Sequence, residues 1–211
     1  MKDIDRTRAS EDPAEDPRHC PFYCEENIGQ LCADPRSAGE DRRVVLISNP
    51  MRQVALWFQR TAEEDGLPVI WDYHVVLFVR RGGRWWAWDL DCVLGAPLAA
   101  ERWLQATFAG TAELPTSFAP RFRWIAATTY REQLATDRRH MRAEDGGWLA
   151  PPPDWPTIGE GSNLMDWVDL ERPGPGDVLD LATLRQRIEI GVEEPMLELQ
   201  EHGDEPTPEA R

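Results

Sequence analysis

Val69-Ile70-Trp71-Asp72-Tyr73-His74-Val75-Val76-Leu77-Phe78-Val79-Arg80-Arg81-Gly82-Gly83-Arg84-Trp85-Trp86-Ala87-Trp88-Asp89-Leu90 decides the fold of this chain. The run is dense in β-branched and aromatic residues, which fit a pleated surface, and a glycine pair divides it. Adjacent glycines supply the positive φ angles that a two-residue hairpin needs. The reading is one long strand over 69–80, a turn at Gly82-Gly83 and a second strand over 84–90. Pairs folded back about that turn have numbers summing to about 165, which sets His74 opposite a position near 91. Asp89 and Asp91 both come within cross-strand reach, and spacing alone does not choose between them.

Outward from the hairpin, Arg43–Ser48 reads as a short buried strand and 53–58 as another. A helix is expected near 98–108, a strand over 122–126 and a short helix over 129–134. A last helix runs from a cap at Asp180 to about Ile190, with Leu181, Leu184 and Ile188 inward. Ahead of the strands, residues 25–34 place Ile28, Leu31 and Cys32 at helical spacing, Glu25 and Glu26 suit the first turn, and Pro35 stops the helix. The expected fold class is α+β, a helix packed on a mainly antiparallel sheet.

Residues 1–18 and 190–211 are polar and proline-containing, so disordered tails are expected on either side of a single domain over 19–189. The net charge is −15, and residues 190–211 hold seven acidic side chains against one basic one. That balance, with scattered arginines, disfavours nucleic acid as a partner. No apolar run approaches the roughly 20 residues of a membrane span. Met1-Lys2-Asp3-Ile4-Asp5 lacks the apolar stretch of a signal peptide, which predicts a cytoplasmic protein with reduced thiols. Monomer is the expected state. Ten tryptophans, mostly between Trp57 and Trp167, predict a large aromatic core or an aromatic-walled cleft.

Four cysteines at positions 20, 24, 32 and 92 show no zinc spacing, and neither metal nor cofactor is expected. Cys24 stands out because a helix start favours thiolate. Against that stands the ordinary fate of a free cysteine, a small buried apolar side chain. Cys32 and Cys92 read as packing, and Cys20 as a regulatory partner of Cys24 at most. A strand histidine is more often a satisfied core residue than a base, but a carboxylate beside His74 would orient its ring. His19 and His202 fall in presumed tails and are set aside. His140 lies in a polar loop that covers the sheet more readily than it lines a site. The stretch Pro151-Pro152-Pro153-Asp154-Trp155-Pro156 is rigid and extended, and reads as a surface strap before an SH3-type ligand.

These segments together resemble the protein N-terminal glutamine amidohydrolases. The likeness rests on Tyr23-Cys24-Glu25-Glu26-Asn27, on Val69 to Val76, on Trp88-Asp89-Leu90-Asp91 and on Thr136-Asp137-Arg138-Arg139-His140-Met141. Pro151 to Pro156 and Asn163-Leu164 continue it, and it covers about residues 20–189. It departs in a shorter link between Cys32 and Arg43 and in the acidic tail after Ile190. The resemblance implies a papain-like or transglutaminase-like cysteine hydrolase with a Cys24, His74 and Asp89 triad, and it selects Asp89 over Asp91. It implies hydrolysis of the side-chain amide of N-terminal glutamine, on protein or peptide substrates with a free terminus. A buried acceptor for the α-ammonium is then needed, with Asp72 favoured among Asp72, Glu25, Glu26 and Asp91. The alternatives are a general glutamine deamidase or transglutaminase, and a non-catalytic binder of N-terminal residues.

Overall fold

A computed structural model describes residues 19–189. The tails expected at 1–18 and 190–211, with His202, lie outside the described residues. Eight strands and five α-helices follow in chain order: α1 Cys24–Ala33, β1 Asp41–Ser48, β2 Val54–Leu56, β3 Val69–Trp71, β4 His74–Arg81, β5 Arg84–Trp88, β6 Leu98–Ala99, α2 Ala100–Thr107, β7 Arg121–Ala126, α3 Ala127–Gln133, α4 Leu164–Val168, β8 Asp177–Asp180 and α5 Leu181–Glu189. Six strands form one antiparallel sheet in the order β6-β5-β4-β1-β7-β8, while β2 and β3 pair separately. The α+β expectation holds.

The hairpin forms as read. Arg81 pairs with Arg84, and Gly82 and Gly83 both take positive φ, at 54° and 74°. The single long strand over 69–80 does not form. The chain bends at Asp72-Tyr73, where the Asp72 carboxylate accepts the Tyr73 amide and the Asp72 carbonyl accepts from Ser48 Oγ. Satisfying those groups locally frees Val69–Trp71 to pair with Val54–Leu56. His74 thereby becomes the first residue of β4 and stands at an open strand end.

Alternation along β4 sorts two cores. Val75, Leu77 and Val79 join α1, α3 and α4 on one face, through Ile28, Leu31, Tyr130, Leu164 and Trp167. Val76 and Phe78 join α2 and α5 on the other, through Trp103, Leu104, Leu184 and Ile188. The aromatic core is real: Phe78 meets Trp103 and Trp124 edge-on at 5.4 and 5.8 Å. Full burial of Ile28 and Leu31 on α1 contributes about 1.5–3 kcal/mol each. Arg123, fully buried on β7, donates to the carbonyls of Trp167, Asp169 and Arg172 and pins the segment after α4. Asp180 caps α5 by accepting the Thr183 amide. The strand β8 was not expected from sequence, because Asp177-Val178-Leu179-Asp180 is short and carries no apolar alternation.

The proline-rich segment does strap the domain, and a buried ion pair fastens it. Glu26 is fully buried and accepts Arg138 Nε at 2.7 Å, Arg138 Nη2 at 2.8 Å and Trp155 Nε1 at 2.8 Å. Arg138 also donates to the carbonyls of Pro153 and Trp155. Breaking a buried pair leaves an uncompensated charge and costs about 3–5 kcal/mol. We predict that Glu26→Ala lowers the thermal unfolding midpoint by on the order of 10 °C, read by calorimetry. An unchanged midpoint would show that the strap is not held by this pair.

Candidate active site

Residues 20–27 form a tightly committed turn into α1. The Asn27 side chain donates to the Cys20 carbonyl and accepts its amide, both at 2.9 Å. Tyr23 donates through its hydroxyl to the Ala150 carbonyl on the strap. Phe22 sits at φ +68°, a left-handed conformation that bulky residues rarely adopt. Cys24 follows as the first residue of α1 and is 5% exposed.

The expectation that the helix start would acidify Cys24 is not met. Burial pushes its thiol well above the ordinary cysteine value, and the carboxylates of Glu25, Asp91 and Asp72 push the same way. The Val75 backbone amide, which hydrogen-bonds to the sulfur, works against them without prevailing. Burial also lifts Cys32 and Cys92 to about 12, as suits packing residues. All four thiols are free, so Cys20 and Cys24 are not paired.

His74 and Asp89 are brought together. His74 Nε2 lies 2.9 Å from Asp89 Oδ1, with both side chains buried. Asp89 accepts three further hydrogen bonds, from the Asp91 amide, Gln59 Nε2 and Trp103 Nε1. Gln59 is carried there by a loop that bridges to Cys92 and accepts the Val93 amide at Phe58. Burial raises the Asp89 pKa, but its hydrogen bonds and the His74 ring prevail and hold it below the usual carboxylate range. Burial likewise opposes the His74 cation, yet Asp89, with Asp91 and Glu25 behind it, holds that pKa above its ordinary value. A carboxylate can only accept, so Nε2 carries the proton and Nδ1 presents a lone pair. His74 Nδ1 is buried and has no hydrogen-bond partner. The ring also stacks on Trp71 at 5.3 Å.

His74 Nε2 and the carboxylates of Asp89 and Asp91 fall within 4.8 Å of one another, a metal-ligand spacing. Both Asp89 oxygens already accept two hydrogen bonds each, and Asp91 accepts His19 Nε2 at 2.9 Å. Both Asp89 oxygens and one Asp91 oxygen are thus already engaged by donors, which suits a hydrogen-bonded network better than a cation.

A cleft of about 590 Å³ opens over Cys24, walled by Phe22, Trp71, Asp72, Tyr73, His140 and Leu149 among others. That volume suits a small ligand or the end of a peptide. Two histidines, His19 set aside as a tail residue and His140 read as covering the sheet more readily than lining a site, stand at this end of the domain. His19 is bound to Asp91 beside the His74–Asp89 pair, and His140 lines the cleft 3.2 Å from the Tyr73 hydroxyl. His19 was hidden by the polar composition of the residues before it, and His140 by a loop with no period. The four acids proposed for the ammonium separate clearly. Asp72 is exposed on the cleft wall, Glu25 is fully buried behind it, Glu26 is bound by Arg138 and Asp91 by His19.

The family model for N-terminal glutamine amidase matches residues 19–188. The protein N-terminal glutamine amidohydrolase of Homo sapiens is 37% identical over 188 residues, covering 83% of this chain and 91% of that protein. The Bos taurus protein of the same name is 37% identical over 171 residues, covering 75% and 82%. The Drosophila melanogaster protein is 36% identical over 174 residues, covering 78% and 84%. With most of its length aligned in this way, the chain belongs to the N-terminal glutamine amidase family.

Proposed function

We propose that this protein is an amidohydrolase that converts N-terminal glutamine of a protein or peptide to N-terminal glutamate and ammonia, with Cys24 as nucleophile, His74 as base and acid, and Asp89 as its orienting carboxylate. One observation carries the reading. The His74–Asp89 pair, with Nδ1 unpartnered, begins a strand whose next amide meets the Cys24 sulfur, in a chain of this family. This is also the plan of papain-like and transglutaminase-like hydrolases, a cysteine at a helix start working with a histidine at a strand end.

His74 Nδ1 takes the thiol proton as the sulfur attacks the side-chain carboxamide carbon. The two groups share no hydrogen bond, and such contacts commonly tighten only when substrate is bound. The oxyanion lies against amides at the start of α1, which lack intrahelical acceptors. Collapse breaks the C–N bond, and ammonia departs with the proton held by His74. Water then loses a proton to His74 and cleaves the thioester, restoring the thiol and leaving a carboxyl group. Asp72 and Glu25 remain as counter-charges for the α-ammonium, and the His19–Asp91 pair supports the charge on His74.

Free thiols at every cysteine fit a reducing cytoplasm, and no helix of the described residues is long and apolar enough to cross a membrane. We take a monomer as the working unit.

A Gln-starting peptide incubated with the enzyme is expected to release ammonia and gain the mass of an amide-to-acid change. Its N-acetylated form and internal glutamine are expected to stay intact. Cys24→Ala should lower the rate by at least roughly 10⁴-fold. Turnover of internal glutamine, or incorporation of an added primary amine, would favour the deamidase or transglutaminase reading instead.

The pH profile carries a second prediction. His74 must be neutral to accept the thiol proton, and its pKa, which burial lowers and Asp89 more than restores, stands above the ordinary histidine value of about 6.5. Activity in kcat/KM should therefore fall as pH drops through a value above 6.5. In Asp89→Asn the cation loses its partner, so that acid limb should move to lower pH while the maximal rate drops. An acid limb that stays in place in the variant would remove His74–Asp89 from the mechanism.

A further inference from the structure

Glu25 is the one buried acid among the described residues with a buried carboxylate oxygen that no hydrogen bond satisfies. It is 0% exposed, its Oε2 accepts the Tyr73 hydroxyl at 3.0 Å, and the same oxygen lies 3.9 Å from Cys24 Sγ. Its other oxygen, Oε1, has no hydrogen-bond partner and stands 3.4 Å from His140 Nε2. Glu26, next in sequence and just as buried, has a bidentate arginine and an indole donor. A buried carboxylate oxygen left without a donor costs stability, and such conflicts are expected where function requires them.

The three side chains around the Glu25 carboxylate, Cys24, Tyr73 and His140, all wall the cleft. Burial holds Tyr73 far above the usual tyrosine value, with Glu25 the next cause, so its hydroxyl stays a neutral donor. Its single proton goes to Glu25, and His140 must then donate to the tyrosine oxygen through Nε2. The result is a relay from His140 through Tyr73 that orients the carboxylate while leaving its charge intact.

Resting on the amidase reading, we propose that Glu25 is the counter-charge that selects a free α-ammonium, and that binding of this ammonium releases Cys24 for attack. Reach permits it. In glutamine four bonds separate the α-nitrogen from the carboxamide carbon, roughly 5 Å when extended. A carbon placed at Cys24 Sγ thus puts the ammonium against the wall formed by Cys24, Tyr73 and His140, with Glu25 directly behind. Asp72 also faces the cleft but is exposed, and solvent screens its charge.

The coupling follows from the anions that face the sulfur. Glu25, Asp91 and Asp72 all oppose thiolate, Glu25 foremost after burial itself, while the Val75 amide at the sulfur favours it and Arg52 lines the same cleft. A substrate ammonium offsets Glu25 and shifts the thiol toward its reactive form. An acetylated terminus brings no charge and leaves the thiol inert.

Two readouts on Glu25→Gln should move in opposite directions. Alkylation of Cys24 by iodoacetamide near neutral pH, followed by peptide mass mapping without substrate, should speed up by roughly tenfold or more, one pKa unit being tenfold. The kcat/KM for a free Gln-starting peptide should fall by on the order of 100-fold, with preference over the N-acetylated peptide largely lost. A merely structural role for Glu25 would not accelerate alkylation. Unchanged or slower alkylation would overturn the coupling, and so would selectivity kept by Glu25→Gln but lost in Asp72→Asn. The alkylation arm needs no turnover, so failure of the amidase reading would appear in the peptide arm of the wild type alone.

Discussion

Three carboxylates, those of Glu25, Glu26 and Asp89, are buried to zero exposure within one end of this domain, and the arrangement around them follows from that constraint. A buried anion must collect donors or a cation. Asp89 collects four donors, and in doing so fixes the ring of His74, the indole of Trp103 and the loop that carries Gln59. Glu26 collects Arg138 and Trp155, and so ties the proline-rich strap to the first turn of α1. Glu25 collects the Tyr73 hydroxyl, a long contact from the Cys24 thiol and a histidine edge, and one of its oxygens has no donor.

This inequality gives the site its chemistry. A cysteine at a helix start would ordinarily gain acidity from the helix dipole. Here burial, with the carboxylates of Glu25, Asp91 and Asp72 behind it, pushes the thiol well above its ordinary value. His74 is oriented by Asp89 and presents an unpartnered Nδ1, which suits the base proposed for it. On the reading proposed above, such a site stays quiet toward adventitious electrophiles until substrate binds.

Much of this was legible in the residues. The glycine pair sets the hairpin register, and that register alone brings His74 near both aspartates. The choice of Asp89 came from family likeness, because selecting it physically requires Gln59 and Trp103, which arrive from other segments. The break at Asp72-Tyr73 was not legible, since a hydrogen bond to Ser48 from a distant strand decides it. His19 and His140 escaped for the same reason: both lie in segments without period and acquire meaning only through Asp91 and Tyr73. The thiol's direction was misread because the sign of the local field depends on acids that are remote in sequence.

The central claim is that the amide is cleaved through a thioester on Cys24. Adding hydroxylamine to the wild-type enzyme turning over a Gln-starting peptide tests it most directly, because hydroxylamine competes with water for an acyl-enzyme. The account predicts a γ-hydroxamate at the first residue, growing with hydroxylamine concentration at the expense of glutamate. Ammonia release that yields only glutamate at every hydroxylamine concentration would mean that water attacks the amide directly, and would contradict the account.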